Sequence, residues 1–234
     1  MEIMQTIPDE SVDMILCDLP YGTTNHKWDV CLPLGPLWRE YWRLAKPKAA
    51  VVLTAQQPFA TKLITTAQTY FRYELIWEKP VAMGFLNARK MPLRAHENIL
   101  VFYKRLPKYR PQMSVGKPYV KKGSGRRKPV NGRFCLDVGG KNSGERYPRS
   151  VLRFGKDSHS GHPTEKPLAL FEWLVKTYTD EGDLVLDNCL GSGTTAIACE
   201  KNRRRWIGIE KELSYFEMAK ERLRGLVLEE RQAE

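Results

Sequence analysis

Residues 183–210, DLVLDNCLGSGTTAIACEKNRRRWIGIE, constrain the fold more than any other stretch. A short apolar run at 184–186 ends on Asp187. A glycine loop follows, Leu190-Gly191-Ser192-Gly193-Thr194, and a helix-like run covers 194–201. A second apolar run, 206–209, ends on Glu210. Strand, glycine loop, helix and strand with an acid at its tip predict an adenosine-containing ligand. The N–H groups of the loop face such a ligand, and the acid takes the ribose hydroxyls. Leu190, Gly191, Ser192, Gly193, Thr194, Thr195 and Glu210 are therefore candidate cofactor residues.

Two ligands satisfy this unit. Gly191, Gly193 and Ala196 fit the dinucleotide fingerprint G-x-G-x-x-G/A, which points to a nicotinamide or flavin enzyme. Asp187 points elsewhere, because a carboxylate entering the loop repels a pyrophosphate. It suits a cationic ligand such as S-adenosylmethionine, with its ammonium and sulfonium, and this makes Asp187 a further candidate cofactor residue. The glycines are not followed by the Lys that a phosphate-binding NTPase loop requires.

The length of 234 residues fits one domain carrying an insertion. No apolar run approaches the roughly 20 residues of a membrane helix, and the acidic start MEIMQTIPDE lacks the features of a signal peptide. A cytoplasmic protein with no membrane contact is expected. Five cysteines with no C-x-x-C pair indicate free thiols and no metal site. The charge is unevenly spread. Residues 79–156 hold 20 Lys and Arg against 3 Asp and Glu, whereas the rest holds 18 against 24. A basic block inside a mildly acidic domain predicts a polyanion-binding face.

Along the chain, 12–17 is a nearly all-apolar strand, as a buried parallel strand should be. It ends at Asp18-Leu19-Pro20-Tyr21-Gly22. Helical spacing covers 33–45, 57–68, 168–178 and 213–228, and strands are expected at 49–53, 70–77 and 99–103, the last two as an antiparallel pair at a sheet edge. Residues 84–90 read only as a loop. Residues 105–154 are rich in Lys, Arg, Gly, Pro and Ser, which suggests long loops and short strands that order on binding. His26, His96 and His159 lack metal-ligand spacing and read as structural or DNA-facing.

Asp18-Leu19-Pro20-Tyr21 carries the chemistry. A carboxylate and a neighbouring backbone carbonyl at one strand tip can accept two hydrogen bonds from one NH2 group. An adjacent aromatic ring can stack on the base that bears it. This describes a pocket for the exocyclic amine of a flipped-out base. That amine is a poor nucleophile because its lone pair is delocalised into the ring. Two acceptors draw it towards tetrahedral geometry and free the lone pair for attack on the sulfonium methyl. The product ammonium is acidic, so no strong base is needed.

The order Asp18-Leu19-Pro20-Tyr21, then a basic variable region, then HPTEKP at 162–167, then DNCLGSGTT at 187–195 resembles the beta-class amino-methyltransferases of DNA. The resemblance covers nearly the whole chain except the variable block. It implies an α/β, Rossmann-like sheet of seven strands, mostly parallel with one antiparallel strand, with catalytic and cofactor strands side by side and a basic irregular insertion. The halves would be 1–104 and 157–234, flanking a target-recognition insertion at 105–156. It also implies S-adenosylmethionine as cofactor, held by His162, Pro163, Thr164 and Lys166 at the methionine end and touched by Asp18. Double-stranded DNA is the implied partner, and a homodimer is compatible with it. An acid at the first motif position implies adenine N6 as the target, with cytosine N4 as the alternative. The chain departs from the family in two ways. Leu19 replaces the first proline of the usual D-P-P-Y, sparing the backbone carbonyl, and the chain starts too near Pro8 to hold the short upstream strand with an acidic turn that usually contacts the adenine.

Overall fold

Alternate residues of the first strand, β1 (Val12–Asp18), face opposite sides of a sheet, and both sides are buried. Ile15 and Cys17 enter one apolar layer and Met14 and Leu16 the other, and a register shift between Val12 and Met14 puts Val12 in the first. This is why the strand reads as continuously apolar. The structure, a computed structural model, describes residues 2–22, 29–125, 127–130, 133–136, 138–155 and 165–233.

After β1 come α1 (Leu34–Leu44), β2 (Ala45–Ala55), α2 (Phe59–Thr66), β3 (Phe71–Met83) and β4 (Arg94–Phe102). Six short strands follow: β5 (Ser114–Val115), β6 (Tyr119–Lys122), β7 (Arg127–Val130), β8 (Arg133–Leu136), β9 (Gly139–Asn142) and β10 (Glu145–Arg146). The chain ends with β11 (Val151–Arg153), α3 (Leu168–Tyr178), β12 (Leu184–Asp187), α4 (Thr194–Lys201), β13 (Arg205–Gly208) and α5 (Leu213–Ala233).

Seven strands form the main sheet in the order β11-β3-β4-β2-β1-β12-β13. Only β4 runs against its neighbours, pairing antiparallel with both β2 and β3. The seven strands and the single antiparallel one match the expectation. The edge does not. β3 is flanked by β11, a three-residue strand that pairs with it in parallel and lies inside what reads as an irregular block. On one face pack α1 and α2, through Leu37, Tyr41, Phe59 and Leu63. On the other pack α3 and α4, through Leu170, Leu174, Val175 and Ala198. Each such buried aliphatic or aromatic side chain contributes about 1.5–3 kcal/mol.

β1 and β12 are parallel neighbours, with Met14 opposite Val185 and Ile15 opposite Leu186. Asp18 and Asp187 thus end adjacent strands at the carboxyl edge of the sheet, where open α/β folds bind ligands. Residues 1–110 and 150–234 make one compact unit, and 111–149 a second. The second unit is built from the pairs β5–β10, β6–β9 and β7–β8. Within it Arg146 lies over the Tyr119 ring at 5.0 Å and donates to the Lys117 carbonyl at 2.6 Å.

Candidate active site at the strand tips

Asp18 is held from both sides. Its Oδ1 accepts the Tyr21 hydroxyl at 2.6 Å and the Thr54 hydroxyl of β2. Its Oδ2 accepts Lys166 Nζ at 2.5 Å. Burial, then the nearby carboxylates Asp18 and Glu97, push the Tyr21 hydroxyl well above its ordinary pKa, so it remains a donor. The Tyr21 ring lies 5.4 Å from the Phe59 ring and 5.6 Å from Lys166 Nζ. Leu19 is buried in the core cluster against which Tyr21 packs. Gly22, at φ +67°, donates its N–H to Asp29 Oδ1 at 2.7 Å.

Lys166 was expected at the methionine end of the cofactor. Its ammonium lies against two carboxylates, Asp18 and, at 3.3 Å, Glu97 Oε2 of β4. Glu97 also pairs with Lys79 and accepts Gln56 Nε2 at 2.8 Å. Burial alone would raise Glu97, but the Lys166 and Lys79 ammonium groups outweigh it and hold the carboxyl below its ordinary value. Burial likewise opposes the Lys166 charge, and Asp18 and Glu97 outweigh it, leaving Lys166 raised. Both shifts describe a charged pair that stays charged.

Asp187, expected as partner to the ligand's cation, also makes contacts within the loop. Its carboxyl turns into the loop, where Oδ1 accepts the Cys189 N–H at 3.0 Å and Oδ2 the Thr195 hydroxyl at 2.5 Å. Burial pushes it up to about 6 against these hydrogen bonds. Asp187 and Thr195 therefore shape the glycine loop. Gly193 begins α4 at φ +89°, and a Cβ there would lie 2.9 Å from Ala219 Cβ of α5. Gly191, at φ +56°, has open space where a Cβ would stand, its nearest atom being 4.0 Å away. That is the side on which a ligand can approach the backbone. Leu190 is buried against Gly208, whose Cβ would clash with it at 2.5 Å. Glu210 accepts the Gly191 N–H at 2.6 Å and the Glu212 N–H at 2.8 Å, which sets it beside the loop.

Several residues of the site escape sequence reading. Glu165 accepts the Ser192 hydroxyl at 3.2 Å, the Thr194 hydroxyl at 2.9 Å and Arg222 Nη1 at 2.5 Å, tying the loop to α5. Its other oxygen is buried with no hydrogen-bond partner among the described residues. Glu165 stands inside HPTEKP, so a signal existed. Glu97 carried a weaker one, as the first of only 3 acids in the basic stretch 79–156. Thr54 carried none. His162, Pro163 and Thr164, expected at the cofactor, lie outside the described residues, as do His26 and His159.

A carboxylate with a tyrosine at one strand tip, beside a glycine loop with an acid at the next, defines a cofactor-dependent transferase site on an open α/β sheet. The chain belongs to the DNA methylase family of N6 and N4 methyltransferases, whose model matches residues 12–221. It is 27% identical to Type II methyltransferase M.HpaI of Haemophilus parainfluenzae, over 95% of this chain and 71% of that protein. It is also 27% identical to the DNA adenine methyltransferase YhdJ of Escherichia coli, over 94% and 79%. The M1.HpyAVI–SAM complex superposes with a TM-score of 0.62 at 26% identity, covering 94% of each chain. The cytosine-N4-specific PvuII DNA methyltransferase shares the fold, with a TM-score of 0.64 at 17% identity over 93% of this chain and 81% of that one. Membership of this family ends the dinucleotide-oxidoreductase reading of Gly191, Gly193 and Ala196. No helix among the described residues is long and apolar enough to cross a membrane.

Proposed function

We propose that this methyltransferase moves a methyl group from S-adenosylmethionine to the exocyclic N6 amine of an adenine flipped out of duplex DNA. The observation that carries the reading is the adjacency of β1 and β12. It sets the Asp18 acceptor and the glycine loop on neighbouring strand tips.

S-adenosylmethionine supplies an electrophilic methyl on a sulfonium. The loop residues Leu190, Gly191, Ser192, Gly193, Thr194 and Thr195 present their backbone to it, and the open side of Gly191 supports close approach. Glu210 takes the ribose hydroxyls, and the 162–164 segment with Lys166 closes the methionine end. Asp187 contributes by holding the loop in shape through Cys189 and Thr195. Asp18 Oδ2 accepts one N–H of the amine beside its Lys166 bond, and the Leu19 carbonyl accepts the other. Both pull the nitrogen towards tetrahedral geometry. Pro20 fixes the turn that aims this carbonyl, and the Tyr21 ring stacks on the base. Tyr21 and Thr54 keep the Asp18 carboxylate oriented before substrate arrives, which lowers the entropic part of the barrier. The proton of the product ammonium leaves to solvent or to Asp18.

The insertion at 105–156 reads the DNA sequence, Asp18 favours adenine over cytosine N4, and the protein works in the cytoplasm. Calorimetry with S-adenosylmethionine and with NAD, followed by transfer of a labelled methyl to duplex DNA, tests the reading. Binding of the methyl donor and labelled DNA are expected. Binding of NAD without the methyl donor refutes it.

A further inference from the structure

The turn between β3 and β4 is the most conspicuous apolar surface outside the site. Phe85 is 80% exposed and Leu86 97%, with Val81, Met83 and Met91 also exposed nearby. Isolated exposed apolar residues need no explanation, but a contiguous cluster at a projecting tip marks an interaction site. The tip is an ordered turn. Gly84, at φ +93°, opens it, and four backbone bonds close it: Asn87 N–H to Gly84, Ala88 to Phe85, and Lys90 and Met91 to Asn87, all at 2.8–3.0 Å. The side chains are thus held out on a rigid knuckle.

Three observations say what covers it. β3 runs parallel to β1 and β2, so its far end and the tip stand at the carboxyl edge of the sheet, on the same side as Asp18. The base of the hairpin is joined to the catalytic carboxylate by a chain of polar contacts. Arg94 donates to Gln56 at 3.0 Å, Gln56 to Glu97 at 2.8 Å, and Lys166 bridges Glu97 and Asp18. Residues 79–96 hold Lys79, Arg89, Lys90 and Arg94 and no Asp or Glu. An apolar tip collared by cations fits a polyanion with an apolar interior, which is the base stack of a duplex between its phosphates.

We infer that Phe85 and Leu86 form a wedge that enters the duplex at the step vacated by the flipped base. Arg89 and Lys90 rest on the adjoining phosphates. The inference rests on the base-flipping reading above. From Trp77, opposite Glu97, to Met83 the hairpin extends about 20 Å at about 3.3 Å per residue, well beyond the roughly 8.5 Å depth of a major groove. A flipped base leaves a gap that forfeits stacking, and an apolar filler recovers part of it.

The test compares Phe85→Ala, Leu86→Ala and the double variant with the wild type. Substrates are duplexes carrying the methylated site with the target base either paired or opposite an abasic position. Both side chains are solvent-exposed, so folding is unaffected. On the paired duplex the double variant should lose about 10- to 100-fold in kcat/KM. On the abasic duplex, where the base is already loose, the loss should shrink to about threefold. An equal loss on both, or no loss, overturns the wedge. Leu86→Trp gives a readout independent of transfer: its added emission should be quenched by duplex DNA carrying the site, and by sheared genomic duplex DNA. Unquenched emission overturns the wedge whether or not methyl transfer occurs. Quenching in this variant, together with a wild-type protein that methylates no DNA, overturns the methyltransferase reading alone. Self-association of the wild type, lost in the double variant, would assign the tip to a second copy and overturn the DNA wedge.

Discussion

Replacing Lys166 by Met removes the cation shared by Asp18 and Glu97 while keeping most of the side-chain volume. Lys166 and Glu97 are 6% and 5% exposed at their side chains, so solvent screens their attraction little. Breaking one partner from a buried pair costs about 3–5 kcal/mol. Glu97 retains Lys79 and Gln56, which puts the expected loss near the lower end, about 3 kcal/mol. For a chain of this size each kcal/mol lowers Tm by about 2–4 °C, so the ligand-free variant should melt about 6–12 °C below wild type near neutral pH. The sign with pH follows from the two shifts. Glu97 is held below its ordinary 4.5, so its contribution is full above that value and is lost as pH falls through the lower folded value. Lys166 is raised above 10.5, so its contribution is full below that value and is lost as pH rises through the higher one. The deficit of the variant should be flat between about pH 5 and 10 and close in acid. Adding Glu97→Gln to Lys166→Met should cost less than the sum of the two changes, because the orphaned carboxylate is gone. Thermal unfolding followed by circular dichroism checks all three. A Tm within about 2 °C of wild type would refute the buried network.

Asp18→Asn should reduce methyl transfer by at least about 10- to 100-fold, from one lost charge-assisted hydrogen bond, while calorimetric affinity for S-adenosylmethionine is retained; wild-type turnover would move the active site elsewhere. Gly193→Ala should destabilise the fold by about 2–4 kcal/mol through its positive φ and the clash with Ala219. Gly191→Val should chiefly weaken cofactor binding, and the reverse pattern in melting and calorimetry would overturn the division of roles. Asp187, raised to about 6 from an ordinary 3.8, favours the folded state below 3.8 and loses that contribution as pH rises through 6. The stability of wild type relative to Asp187→Asn should therefore rise by about 2 kcal/mol between about pH 7.5 and 4.5, and a flat difference in denaturant titrations would contradict the buried setting.

The sheet was legible where pattern is local. The apolar run of β1 and the strand–loop–helix–strand of 183–210 each carry their periodicity within a few residues. The edge strand β11 was not, because three residues inside a basic block have too little pattern to stand out. At the site, Asp18, Tyr21 and the glycines could be singled out because a short motif states the chemistry. HPTEKP points Lys166 to the ligand, but its partners within the fold, Asp18, 148 residues away, and Glu97 on the antiparallel strand, lie outside that motif. Such pairings depend on which strands the fold makes adjacent, and no local spacing encodes them. Asp187 is a related case. Its charge is visible in the sequence, but the Thr195 hydroxyl and Cys189 N–H that absorb it appear only when the loop closes.

The central claim is that Asp18 and its strand tip activate an exocyclic amine for methylation. It is tested most directly by incubating the purified protein with S-adenosylmethionine and duplex DNA, digesting the DNA, and identifying the nucleosides by mass spectrometry. N6-methyladenine is the expected product, and it should disappear with Asp18→Asn. N4-methylcytosine would overturn the adenine assignment and leave the amine mechanism standing. A methyl group on a ring carbon, or N6-methyladenine formed undiminished by the Asp18→Asn protein, would contradict the account.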